Sequence, residues 1–63
     1  MRERELNVIR CASMGYTDSE IADENHISIG YVRKILNELY DRTQTRNKAH
    51  LIGWAYRNKV LGG

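Results

Sequence analysis

A chain of 63 residues has room for one domain, and at this size folding buries only about 60% of the surface the unfolded chain exposes, so self-association or a partner is an expected source of stability. A charged fraction of 29%, a hydrophobic fraction of 41% and no proline exclude wholesale disorder and favour helices. Cys11 is the single cysteine, which excludes an internal disulfide and fits a reducing, cytoplasmic setting; no apolar run approaches the ~20 residues of a membrane span, and the start MRERELN is unlike a secretory signal.

The net charge of +2 is unevenly spread. Residues 1–27 carry three basic and six acidic side chains, a net of −3, and residues 28–63 carry seven basic and two acidic, a net of +5. A basic second half points to a polyanion as partner.

The first predicted helix covers residues 4–14, with Val8, Ile9, Cys11 and Ala12 as its apolar stripe. Gly15 stops it, because a residue without Cβ takes positive φ freely. The second helix opens at Thr17. Thr17-Asp18-Ser19-Glu20 has the capping-box form, and Asp18 and Glu20 suit the positive end of the helix dipole. Ile21 and Ala22 point inward, and Asn25 is the expected closing residue. His26 and Ile27 form a short turn, with Ile27 a core plug.

Ser28 caps a third helix over residues 29–42. Val32, Ile35, Leu36 and Leu39 share one side, and Arg33, Lys34, Asn37 and Asp41 lie opposite. Thr43-Gln44-Thr45-Arg46 reads as a loop, and Asn47 caps a fourth helix over residues 48–61. That helix is apolar on two sides. Ala49, Ile52, Gly53, Tyr56 and Val60 lie on one, and Leu51, Trp54, Ala55 and Leu61 on the other. One side packs on the first three helices and the other meets a second copy of the chain, with Leu51, Trp54, Ala55 and Leu61 as the expected homodimer contacts. Gly62-Gly63 is a frayed tail. The fold class is therefore all-α, one domain of four helices.

Two capped helices around a three- or four-residue turn form a helix-turn-helix, covering residues 17–42. In that unit the second helix enters the major groove of double-stranded DNA. Arg33 and Lys34 can donate to guanine O6 and N7, and Asn37 can pair with adenine N6 and N7. No nucleophile, base and orienting group come together in the sequence, so an enzyme is not expected. Cys11, His26 and His50 match no zinc spacing and no cofactor is called for; Cys11 reads as a small buried hydrophobe.

Arg4-Glu5, Val8-Ile9-Arg10, Gly15, Thr17, Glu20-Ile21-Ala22, Ile27-Ser28 and Val32-Arg33 together resemble the LuxR-type (GerE- or FixJ-type) DNA-binding domain. Its pattern runs roughly RE-x-x-V-L-R, G-x-S-x-x-E-I-A, I-S-x-x-T-V-K. Arg46 and Ala49 resemble its R-x-x-A entry to a fourth helix. Asn25, Tyr31 and Ile35 depart from the usual leucine, threonine and histidine. The resemblance implies transcription regulation by a dimer joined through the fourth helix, with Arg33, Lys34 and Asn37 facing bases. Thr17 and Ser28 then sit at helix N-termini near phosphates. Tyr31 either contacts a phosphate or packs, and Arg46 either clamps a phosphate or caps a carbonyl. Arg42 is a further phosphate contact, and Lys48 a surface cation. RNA polymerase is a second candidate partner. In the family this domain usually follows a receiver or sensing domain, so the chain reads equally as a stand-alone regulator or a piece of one. The competing reading is a protein-interaction module that binds the transcription machinery.

Overall fold

The computed structural model describes residues 1–62. Four helices account for its regular structure: α1 Glu3–Ser13, α2 Asp18–Asn25, α3 Ile29–Thr43 and α4 Lys48–Arg57. There is no strand among the described residues. The chain is all-α with four helices, as the periodicity predicts. Gly63, expected as the end of a frayed tail, lies outside the described residues.

Three of the four helices begin on a residue whose side chain accepts one of the free N–H groups, and at α1 the bond runs the other way. The Arg2 N–H donates to Glu5 Oε1 (3.0 Å) at α1. At α2 the capping box is complete: the Glu20 N–H donates to Thr17 Oγ1 (3.2 Å) and the Thr17 N–H to Glu20 Oε1 (2.9 Å). Ser28 Oγ accepts from the Tyr31 N–H (3.0 Å) at α3, and Asn47 Oδ1 from the His50 N–H (2.9 Å) at α4. Such caps contribute about 1 kcal/mol each.

The helix ends share one device. After each helix a residue takes positive φ: Gly15 (83°), His26 (55°), Gln44 (57°) and Lys59 (58°). The N–H of the next residue reaches back five positions, from Tyr16 to Cys11, Ile27 to Ala22, Thr45 to Tyr40 and Val60 to Ala55. This is the longer bond of the Schellman closure. The expected closing residue of α2, Asn25, is displaced from that role by His26. Asn25 stays helical, and its amide donates to the Ile21 carbonyl (2.8 Å).

The core is built from Val8, Ile9, Cys11 and Ala12 of α1, Ile21 and Ala22 of α2, Val32, Ile35, Leu36 and Leu39 of α3, and Leu51 and Ala55 of α4, with Leu61 behind them. Ile27 plugs the α2–α3 turn against it, half-buried. α1 packs on the other three helices, and α3 packs on α2 and α4, while α2 and α4 do not pack on each other. Thr45, the one buried polar residue among the described residues, shares a hydrogen bond with Thr43 (2.8 Å), whose hydroxyl lies 2.7 Å from the Leu39 carbonyl.

Three of the four side chains expected at a dimer contact are instead core. Leu51 and Ala55 are fully buried and Leu61 is nearly so. The reason is where α4 stops. It closes at Arg57, four residues before the expected end, and the reversal at Lys59 folds Leu61 back inside. Trp54 is half-buried in a notch with Met1, Leu39, Arg42 and Thr43. The outward side of α4 belongs to Ala49, Gly53, Tyr56 and Arg57, of which Ala49, Tyr56 and Arg57 are exposed and Gly53 half-buried.

Candidate nucleic-acid interface

The face of α3 opposite its core stripe is open. Arg33, Lys34 and Asn37 are all exposed there, and the Arg33 side chain is 67% accessible. At about 100° per residue, Arg33 and Lys34 flank Asn37 within an arc of roughly 100°. The backbone beneath them cannot roll, because Val32, Ile35, Leu36 and Leu39 on the reverse are locked in the core.

Gly30 lies one turn N-terminal on the same face, exposed. A Cβ built there meets only Ser28 Oγ, at 3.9 Å. Nothing inside the chain calls for glycine at this point. It leaves the α3 N-terminal backbone bare. Hydrophobic periodicity gives no sign of it, since glycine carries no hydrophobic signal.

The two helix N-termini expected to meet anions differ in charge. At α2, Thr17 is exposed but its N–H is already taken by the Glu20 carboxylate. At α3, Ser28 is exposed and no acid stands in the first turn. The leading N–H groups of Ile29 and Gly30 have no intrahelical acceptor there, as at any helix start. The α3 terminus therefore offers the freer anion seat.

Charged neighbours flank the face on both sides. On one, Asp18 at the start of α2 lies 3.5 Å from Arg33 Nε and 2.6 Å from Lys48 Nζ at the start of α4. The close Lys48 ammonium, followed by smaller contributions from Arg33, outweighs partial burial and holds the Asp18 carboxyl below the usual aspartate range. On the other side, the Arg4 guanidinium sits 5.8 Å above the Tyr31 ring. Tyr31 is 42% exposed, so it neither packs under the helix nor stands alone: it is a stacking surface for Arg4.

Arg42 stands apart from this group. Eight residues beyond Lys34, it is turned about 80° further round the axis, toward α1. There it forms an ion pair with Glu5, whose carboxyl it holds below the usual range. Arg42, expected as a phosphate contact, here ties α3 to α1. Arg46 is exposed in the α3–α4 linker, and its N–H donates to His50 Nδ1 (3.2 Å); its guanidinium caps no carbonyl among the described residues.

Cys11 is buried, with the Asn25 amide 4.0 Å from its sulfur, and burial raises the thiol above its usual range. Among the described residues no three His, Cys, Asp or Glu side chains gather as metal ligands, and no helix is long and apolar enough to cross a membrane.

The chain is similar to the probable transcriptional regulator ycf29 of Cyanophora paradoxa, with 34% identity over 58 residues. The match takes in 92% of this chain but only 28% of that protein, so the chain spans just over a quarter of its relative's length. No family model matches the chain, and no solved structure matches it significantly.

Proposed function

We propose that this chain is a DNA-binding domain of the LuxR helix-turn-helix type that serves transcription regulation. One observation carries the reading. A helix fixed by four core aliphatics displays two cations and an amide on its open side, directly after a capped helix and a three-residue turn. α3 lies in the major groove of double-stranded DNA, and Arg33, Lys34 and Asn37 read base edges. The Ser28 end of α3 seats a phosphate, with Thr17, Arg46 and the Arg4–Tyr31 pair close to the backbone on either side. The chain's likeness to a probable transcriptional regulator supports a regulatory role.

The domain works as a homodimer through α4, with the contact moved to its outer face: Ala49, Gly53 and Tyr56 in place of Leu51, Ala55 and Leu61. Small residues four apart let two helices approach closely, and Tyr56 supplies the apolar area that the core does not use. Two copies then present two recognition helices to a two-fold symmetric site.

Selection of bound sequences from random duplexes tests this. Enrichment of a two-fold symmetric site, with affinity that falls log-linearly as salt rises, is the expected result. Enrichment of nothing, with binding indifferent to salt, favours the protein-interaction module instead.

A further inference from the structure

We propose that Asp18 is a positioning residue that sets the specificity of Arg33, a step that rests on the DNA-reading function above. The acid stands in the wrong place for simple phosphate attraction. It lies at the edge of the cationic face, where its negative charge opposes a polyanion. Yet the fold invests three positive partners in it: Arg33 Nε at 3.5 Å, Lys48 Nζ at 2.6 Å, and the N-terminal dipole of α2, where it is the first helical residue. Oδ1 is closed to solvent, and Lys48 meets its charge.

The geometry of the arginine explains the arrangement. Asp18 Oδ2 takes the Nε–H, the donor nearest the aliphatic stem. Both terminal nitrogens of Arg33 are left without a protein partner among the described residues, on a side chain that is two-thirds exposed. Those two nitrogens form a planar fork, and a planar fork matches the paired acceptors O6 and N7 of guanine. A free arginine searches many rotamers and settles on any phosphate. An arginine held at Nε has its fork aimed before the duplex arrives, so less rotamer freedom is lost on binding the right base. The same carboxylate cancels one positive charge, which weakens attraction to random sequence. It also links α2 to α4, which do not otherwise pack together.

The test compares wild type with Asp18→Asn on the selected site and on a random duplex, across a salt series. In the variant, random-duplex affinity rises and its salt slope steepens by roughly 0.9. The ratio of specific to random affinity falls about two- to tenfold. An unchanged or higher ratio, or equal loss on both duplexes, overturns the positioning role while leaving wild-type DNA binding intact. Failure of the wild-type chain to bind any duplex overturns the DNA reading itself, and this inference with it. Should Asp18→Asn not fold, solvent exchange of the arginine Nε–H protons in wild type decides. Arg33 exchanging more slowly than Arg46 and Arg57 supports the clamp, and equal rates overturn it.

Discussion

Single residues set both the closures of the helices and the charge balance of the face. Three of the four left-handed closing residues are His26, Gln44 and Lys59 rather than glycine, and an L-residue there carries about 1–2 kcal/mol of steric cost. Lys59 is exposed and forms no ion pair among the described residues, whereas the Gln44 amide donates to the Asp41 carbonyl (2.8 Å). Lys59→Gly is therefore the cleaner relief. It is expected to raise stability by about 0.5–1 kcal/mol after the added freedom of the unfolded chain is counted, measured by urea unfolding. The Gly15 stop was legible in the sequence because glycine announces a left-handed turn. The α2 stop was not, because Asn25 and His26 both tolerate that region and the choice is made by where Ile27 must sit to reach the core. Glu5 and Asp18 give the pH dependence its sign. Arg42 and Lys48 lower their folded carboxyl values, so the stability they contribute is present above the unfolded carboxylate range. It is lost as pH falls through about 4 and below. Thermal melts are expected to be level from neutral pH down to about 5 and to fall in more acid solution. Glu5→Gln and Asp18→Asn together flatten that fall.

At the scale of the element, α3 was readable and α4 was not. Val32, Ile35, Leu36 and Leu39 recur with one helical period and leave a single polar side, so the sequence itself assigns Arg33, Lys34 and Asn37 to the outside. α4 has apolar residues on two sides, and periodicity alone does not say which is the inner one. The deciding facts are tertiary: α1 and α3 offer a cleft that Leu51 and Ala55 fill, and the early stop at Arg57 returns Leu61 to it. The proposed outer-face dimer contact makes opposite predictions for neighbouring residues. Leu51→Glu buries a charge with no partner and is expected to unfold a chain this small, seen as loss of helical circular dichroism. Ala49→Glu adds a good helix former to an exposed position and is expected to keep the fold. Sedimentation should show it as a monomer where wild type associates. An associating Ala49→Glu contradicts the outer-face contact.

Across the whole molecule, the charge asymmetry visible in the sequence becomes a distribution over surfaces. The basic half of the chain supplies α3 and the start of α4. The six acids of the first half divide: Asp18 and Glu5 are drawn into pairs with Lys48, Arg33 and Arg42, Glu20 is held in the α2 capping box, and Glu3, Asp23 and Glu24 are left exposed on α1 and α2. Sequence distance hides such pairs: Glu5 and Arg42 are 37 positions apart, and only the packing of α1 on α3 joins them. The proposed function requires that the open side of α3 distinguish one duplex from another. Equilibrium binding of wild type and Arg33→Ala to the selected site and to a scrambled duplex of equal length measures this directly. Arg33→Ala is expected to lose about 1–3 kcal/mol on the selected site, clearly less on the scrambled one, with unfolding stability nearly unchanged. Equal losses on the two duplexes contradict base reading by α3.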